Sequence, residues 1–147
     1  MDRETAAKTI ATLLAKPNEI TARMQALAGT RRDLGQAKEE LVQLREDYDH
    51  ALAAATMEAY AAGVVTGKKQ SERDVQLEAW LRTAQPLTEA KWLRIKGENR
   101  VTRLEQAADA AENEVKALVY QLEAAKHAAM LQAALINYES AAVHQEP

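Results

Sequence analysis

The stretch VTRLEQAADAAENEVKALVYQLEAAKHAAMLQAALI, residues 101–136, decides the fold. Apolar side chains recur in it on two seven-residue series. One runs Val101, Ala108, Val115, Leu122, Ala129, Ile136; the other runs Leu104, Ala111, Leu118, Ala125 and ends on Gln132. Glu, Lys, Gln, Asp and Asn occupy the surrounding positions, so one face is apolar and the rest is solvated. A seven-residue repeat of this kind belongs to a helix wound on another helix. Extended backward, the two series pass through Leu87 and Arg94, and through Ala90 and Gly97. The spacing predicts a coiled-coil helix over 87–140, followed by a polar tail at 141–147.

Upstream, residues 18–62 repeat the pattern with Ile20, Leu27, Leu34, Leu41, Tyr48, Ala55 and Ala62. The companion seam reads as mixed: Met24 and Leu52 suit it, but Arg31, Lys38 and Arg45 lie between them, while Ala37 and Leu44 widen the stripe on the other side. Charges inside a seam weaken packing but can fix register or partner choice; they can equally mark where the seam opens to solvent. Gly29 and Gly35 each weaken a helix by about 1 kcal/mol relative to Ala, which predicts a bend or fraying near 29–35. Asp2 caps a short helix over 1–16 that stops before Pro17, and Asn18 caps the long one. Gly63, Val64, Val65 and Gly67 make 63–70 a turn. Ser71, with Asp74 three positions on, opens a helix over 71–85 whose apolar side is Val75, Leu77, Trp80, Leu81 and Ala84. Pro86 ends or kinks it.

Apolar residues make up 47% of the 147, yet much of that is Ala; Phe is absent and aromatics are 4%. Large side chains dominate core energetics, so a thick globular core is hard to build from this set. The expected fold is all-α: a long helical hairpin, an antiparallel coiled coil, assembled into an oligomeric bundle or ring. Leu27, Leu34, Leu41, Tyr48, Val101, Leu104, Val115, Leu118, Leu122 and Ile136 are its packing residues. The competing structure is a monomer in which the first helix and the 71–85 helix complete a bundle.

The net charge is −3, so any attraction to nucleic acid must be local. Cys is absent, which removes disulfides and thiolate chemistry. No apolar run approaches the ~20 residues of a membrane span, and Met1-Asp2-Arg3-Glu4 does not open a secretory signal. A cytoplasmic protein with no membrane partner is expected. His50, His127 and His144 lie far apart, without the converging spacing of a metal site. Glu39-Glu40, and Glu112 with Glu114, read as solvated charges. Thr66-Gly67-Lys68-Lys69 fails as a phosphate loop, because Ala62 and Lys69 stand where Gly and Ser or Thr are needed. No catalytic residue, metal or cofactor is expected, and the chain reads as no enzyme.

Two basic concentrations remain. Lys68, Lys69 and Arg73 lie at the turn; Lys91, Arg94, Lys96, Arg100 and Arg103 form a stretch whose one acid is Glu98. Lys96, Arg100 and Arg103 share one helical face. Trp80 and Trp92 are near in sequence. Basic groups neutralise phosphates and aromatic rings stack on unpaired bases, so these eight basic residues are the candidate nucleic-acid contacts. The plainer reading gives the charges to solvation and the tryptophans to packing.

Glu58-Ala59-Tyr60-Ala61-Ala62-Gly63, then Gly67-Lys68-Lys69, then Glu72-Arg73-Asp74, resembles a pattern in small helical proteins of bacteriophages. Over residues 36–140 the layout is similar to recombination mediators of the UvsY type. Those are small helical oligomers that bind single-stranded DNA and load a recombinase onto strands covered by single-strand-binding protein. The resemblance implies a homo-oligomer in the host cytoplasm, with single-stranded DNA, a recombinase or a single-strand-binding protein as partners and no catalytic residue. It departs where the family's basic segment precedes the turn: here that region reads Ala51-Leu52-Ala53-Ala54-Ala55, so DNA contacts would move to the turn and to 91–103. A phage structural, assembly or adaptor protein, and an inhibitor or regulator that captures a host protein through its helices, stand beside it.

Overall fold

The computed structural model describes residues 2–145, and among them it is all-α, with helices α1 (Arg3–Ala61), α2 (Gln70–Thr83) and α3 (Gln85–Gln145). The chain divides into two compact units. One joins Met1–Thr30 to Ala107–Pro147, of which 2–30 and 107–145 are described; the other is Arg31–Gln106.

Three sequence expectations about boundaries change. The separate helix over 1–16 does not exist, because α1 runs through Pro17 and also through Gly29 and Gly35 without interruption. Pro17 removes one backbone donor and costs about 3 kcal/mol in a helix interior. The apolar repeat nevertheless stays in phase across it: Leu13, Ile20 and Leu27 are seven apart and all buried or half-buried. Packing therefore favours continuing the helix. Thr21 Oγ1 also donates to the Pro17 carbonyl at 2.9 Å. Asp2 does cap α1, its carboxylate accepting the Glu4 N–H at 3.0 Å. At the other end α3 remains helical to Gln145, so residues 141–145 are not a tail; 146–147 lie outside the described residues.

The turn is built from three devices. Gly63, at φ 69°, ends α1: its N–H donates to the Tyr60 carbonyl and that of Val64 to Ala59, the paired bonds of a Schellman motif. Gln76 on α2 reaches back, its Oε1 accepting the N–H groups of Thr66 (2.9 Å) and Gly67 (3.0 Å). Glu72 accepts the Lys68 N–H at 3.1 Å. The expected Ser71 cap is absent. Helix α2 starts at Gln70 with Lys69 at the cap and no side-chain cap bond, while Asp74 accepts from Gln70 Nε2 at 2.7 Å. Helix α2 ends at Thr83, and Pro86 falls in the first turn of α3, where its missing N–H has no helical partner to lose.

In the unit 31–106, α1 and α3 run antiparallel. Ala37, Leu41 and Val101 form its buried cluster, with Leu34 and Leu104 packed against it. The second seam of α1 lies three residues after the first: Ala37 is buried, and Leu44 and Ala51 are half-buried. Arg31, Lys38 and Arg45 are exposed beside it. They do not interrupt the seam; they flank it. Lys38 pairs with Glu105 at 3.2 Å and Arg45 with Glu98 at 3.8 Å, seven residues on along α1 and seven back along α3. On the opposite flank Arg100 pairs with Glu40 at 2.6 Å. Half-exposed pairs of this kind add ~0–1 kcal/mol each, so they select register more than they stabilise it. Gly97 lets the helices close: a Cβ there would stand 2.8 Å from Leu44 Cδ1 and 3.3 Å from Leu41 Cδ1.

Near the turn, α2 makes this unit three helices thick. Leu77, Trp80 and Leu81 are half-buried, whereas Val75 is exposed. Leu81 shares a groove with Tyr48, Leu52 and Leu87, and Trp80 shares one with Ala51, Ala54 and Pro86. Ala55, Ala59 and Leu87 are buried here. In the other unit the packing is thin. Leu27, Ala108 and Leu118 are buried, Val115 and Leu122 are half-buried, and Arg23 pairs with Glu114 at 3.1 Å. Ile136, expected in the seam, is 59% exposed.

Replacing Gly97 by Leu should lower stability by about 1–3 kcal/mol, the usual effect of overfilling a packed interface. Gly35→Ala should instead raise it by up to about 1 kcal/mol, since a Cβ there meets nothing within 4 Å. Urea denaturation followed by circular dichroism measures both.

Candidate nucleic-acid interface

The eight basic residues singled out from sequence all lie in the unit 31–106, in four different settings. Lys68 and Lys69 are exposed on the turn, and Arg73 is half-buried in the first turn of α2, where its Nη2 donates to Gln70 Oε1 at 2.9 Å. Among the described residues, no hydrogen bond or ion pair joins these three to the basic stretch of α3. Lys91 borders the groove that contains Tyr48, Glu78 and Arg82.

Arg94 is drawn into the helix seam. It occupies the seam position seven residues before Val101, so its stem is drawn between the helices. Its guanidinium lies over the Tyr48 ring, 4.1 Å from the centroid, and its Nε is 3.8 Å from Glu98. The side chain is 28% exposed, and Nε is buried without a hydrogen-bond partner. Packing and a cation–π contact occupy it.

Lys96, Arg100 and Arg103 do come together. Successive turns of α3 bring them to one open groove, shared with Asp33 and Leu104. All three are exposed. Lys96 makes no side-chain hydrogen bond or ion pair among the described residues, and Arg103 donates only to the Asn99 carbonyl at 3.4 Å. Arg100 is held by Glu40. Two acids, Asp33 and Glu40, thus sit against three bases, a balance that sequence reading of α3 alone missed. The available signal was the heptad: Glu40 stands six residues after Leu34, as Arg100 stands six after Arg94, and the same flanks of antiparallel helices face one another.

The tryptophans separate. Trp80 is half-buried, with Nε1 buried and unpartnered, whereas Trp92 is 61% exposed beside exposed Leu93, in a shallow groove with Gln85, Thr88 and Glu89. Trp92 lies off both seams, one helical turn before Lys96. The packing reading fits Trp80 and fails for Trp92.

Among the described residues, no group of three or more His, Cys, Asp or Glu side chains is placed to hold a metal ion, and no helix is long and apolar enough to cross a membrane. Arg94→Ala should destabilise the fold by about 1 kcal/mol through lost stacking and stem packing. Arg103→Ala should leave stability within ~0.5 kcal/mol, as exposed substitutions usually do; parallel thermal melts test the contrast. Comparison of the chain with protein families, characterised proteins and solved structures gave no match, so no relative assigns this surface a role.

Proposed function

We propose that this chain is a non-enzymatic, oligomeric accessory protein of DNA transactions that binds single-stranded DNA, in the manner of a phage recombination mediator acting with a recombinase or single-strand-binding protein in the host cytoplasm. One juxtaposition carries the reading: Lys96, Arg100 and Arg103 share a groove, and the exposed ring of Trp92 lies one turn away on the same helix. Cationic side chains spaced along a helix neutralise successive phosphates, and an exposed aromatic ring offers a face for an unpaired base. Glu40 and Asp33 moderate the site, so a single copy binds weakly, and several copies along one strand gain affinity through avidity.

A second reading, an assembly or adaptor protein, is favoured by the exposed apolar side chains of 130–143: Met130, Leu131, Leu135, Ile136, Tyr138 and Val143. Such a protein copurifies with structural components and ignores oligonucleotides.

Fluorescence anisotropy with a labelled oligothymidine separates the two. Three phosphate contacts predict a log–log salt slope of about −2 per copy on single strands. The triple variant Lys96→Ala, Arg100→Ala, Arg103→Ala should abolish most binding without loss of helicity. Trp92→Ala should weaken it by about 1–3 kcal/mol, the usual worth of one stacked base. Absence of binding at low salt, or a triple variant that binds like the parent, refutes the DNA-binding reading.

A further inference from the structure

Helix α3 carries a second apolar stripe, distinct from the seam that meets α1. Beyond residue 116 it occupies heptad positions that leave every member exposed: Ala117, Ala124 and Ala128, then Leu131, Leu135 and Tyr138, then Ala142, with the polar Gln121 interrupting its first half. Leu131 is 68% exposed, Leu135 61% and Tyr138 76%. At 3.6 residues per turn this stripe is centred roughly 110° around the helix from the α1-facing seam. It is about 38 Å long, and at roughly 10 Å wide it covers on the order of 400 Å². That is the size of the largest apolar patch on a typical monomer, and such a patch is often functional.

We propose that this stripe docks a second copy of the chain, α3 against α3, antiparallel about a two-fold axis between residues 129 and 130. The pattern of side-chain sizes selects both occupant and direction. The stripe is small before residue 130 and large over 131–138. In the antiparallel register Leu131 faces Ala128 of the partner subunit, Leu135 faces Ala124, Tyr138 faces Gln121 and Ala142 faces Ala117. Each of the three large side chains meets a smaller one, and each layer recurs on the far side of the axis. A parallel pairing would stack Leu on Leu at one end and leave Ala against Ala at the other, crowding one half and opening voids in the second. An isologous contact needs a self-complementary surface, and this one is self-complementary in size.

Charge permits the approach. Among residues 117–142 the Asp, Glu, Lys and Arg residues are Glu123, Lys126 and Glu139, none of them in the stripe. Glu123 and Lys126 already pair with each other at 3.6 Å. Two copies therefore meet without like-charge repulsion. The strip is below the roughly 800 Å² per partner of standard stable complexes, so the dimer is reversible and concentration-dependent. The pairing deepens the proposed oligomer but does not depend on nucleic-acid binding.

The test is sedimentation equilibrium of the full chain over a wide concentration range, without DNA. The expected result is reversible doubling of the 16.2 kDa monomer mass, lost in the L131E/L135E variant with helicity retained. Direction is tested by Ala128→Leu. In the antiparallel dimer it sets Leu against Leu131 of the partner subunit and weakens association by about tenfold or more, the scale of overpacking; adding Leu131→Ala restores the large–small layer and the affinity. In a parallel dimer Ala128→Leu fills a gap and tightens association. A monomer at every concentration, a dimer insensitive to L131E/L135E, or tightening by Ala128→Leu overturns the proposal. A surface used only by a different protein gives the first of these results.

Discussion

The close contact of Gly97 with Leu41 and Leu44 sets the distance between α1 and α3 in the unit 31–106, and the other interactions of that unit follow from it. With so few large side chains, the helices gain little from filling a wide space; they gain by approaching until Ala37, Ala55 and Ala59 are covered. Close approach then brings the flanks into range, which lets Lys38 reach Glu105, Arg45 reach Glu98 and Glu40 reach Arg100. Register, ion pairing and the tilt of Arg94 onto Tyr48 are consequences of one short interhelical distance.

The same geometry sorts the basic side chains by heptad position. Arg94, in the seam, is consumed by packing. Arg45 and Lys38, on one flank, are spent on register. Lys96 and Arg103 lie outside both roles and stay exposed, with Arg100 shared between Glu40 and the groove. A basic run of five residues in sequence thereby becomes a strip of three, and the exposed Trp92 falls beside it because it belongs to neither seam.

Much of the fold was legible because period seven is a strong signal. The α3 seam from Leu87 to Leu122 is buried or half-buried at every position. Legibility failed where a local rule opposed a long-range one. Pro17 signals a helix end locally, yet the in-phase Leu13, Ile20 and Leu27 carry the helix through it. Arg31, Lys38 and Arg45 suggested an interrupted seam because the companion series was placed four residues from the first instead of three; Ala37 and Leu44 held the true one. The turn's chemistry was hidden because the capping pattern was sought at Ser71 and Asp74, whereas Glu72 and Gln76 reach back to N–H groups that precede the cap. The candidate site was half legible: residue types mark the bases, but Asp33 and Glu40 come from another helix, and only the register brings them in.

The antiparallel register of α1 on α3 is the central claim, and the cysteine-free chain allows a direct measurement. Ala37→Cys with Val101→Cys places two thiols in the buried cluster of the unit 31–106. Mild oxidation should give an intramolecular disulfide, seen as a fast-migrating monomer, while Leu44→Cys with Val101→Cys, displaced by one heptad, should not close. Closure of the displaced pair in preference, or disulfides formed only between chains, would contradict the account.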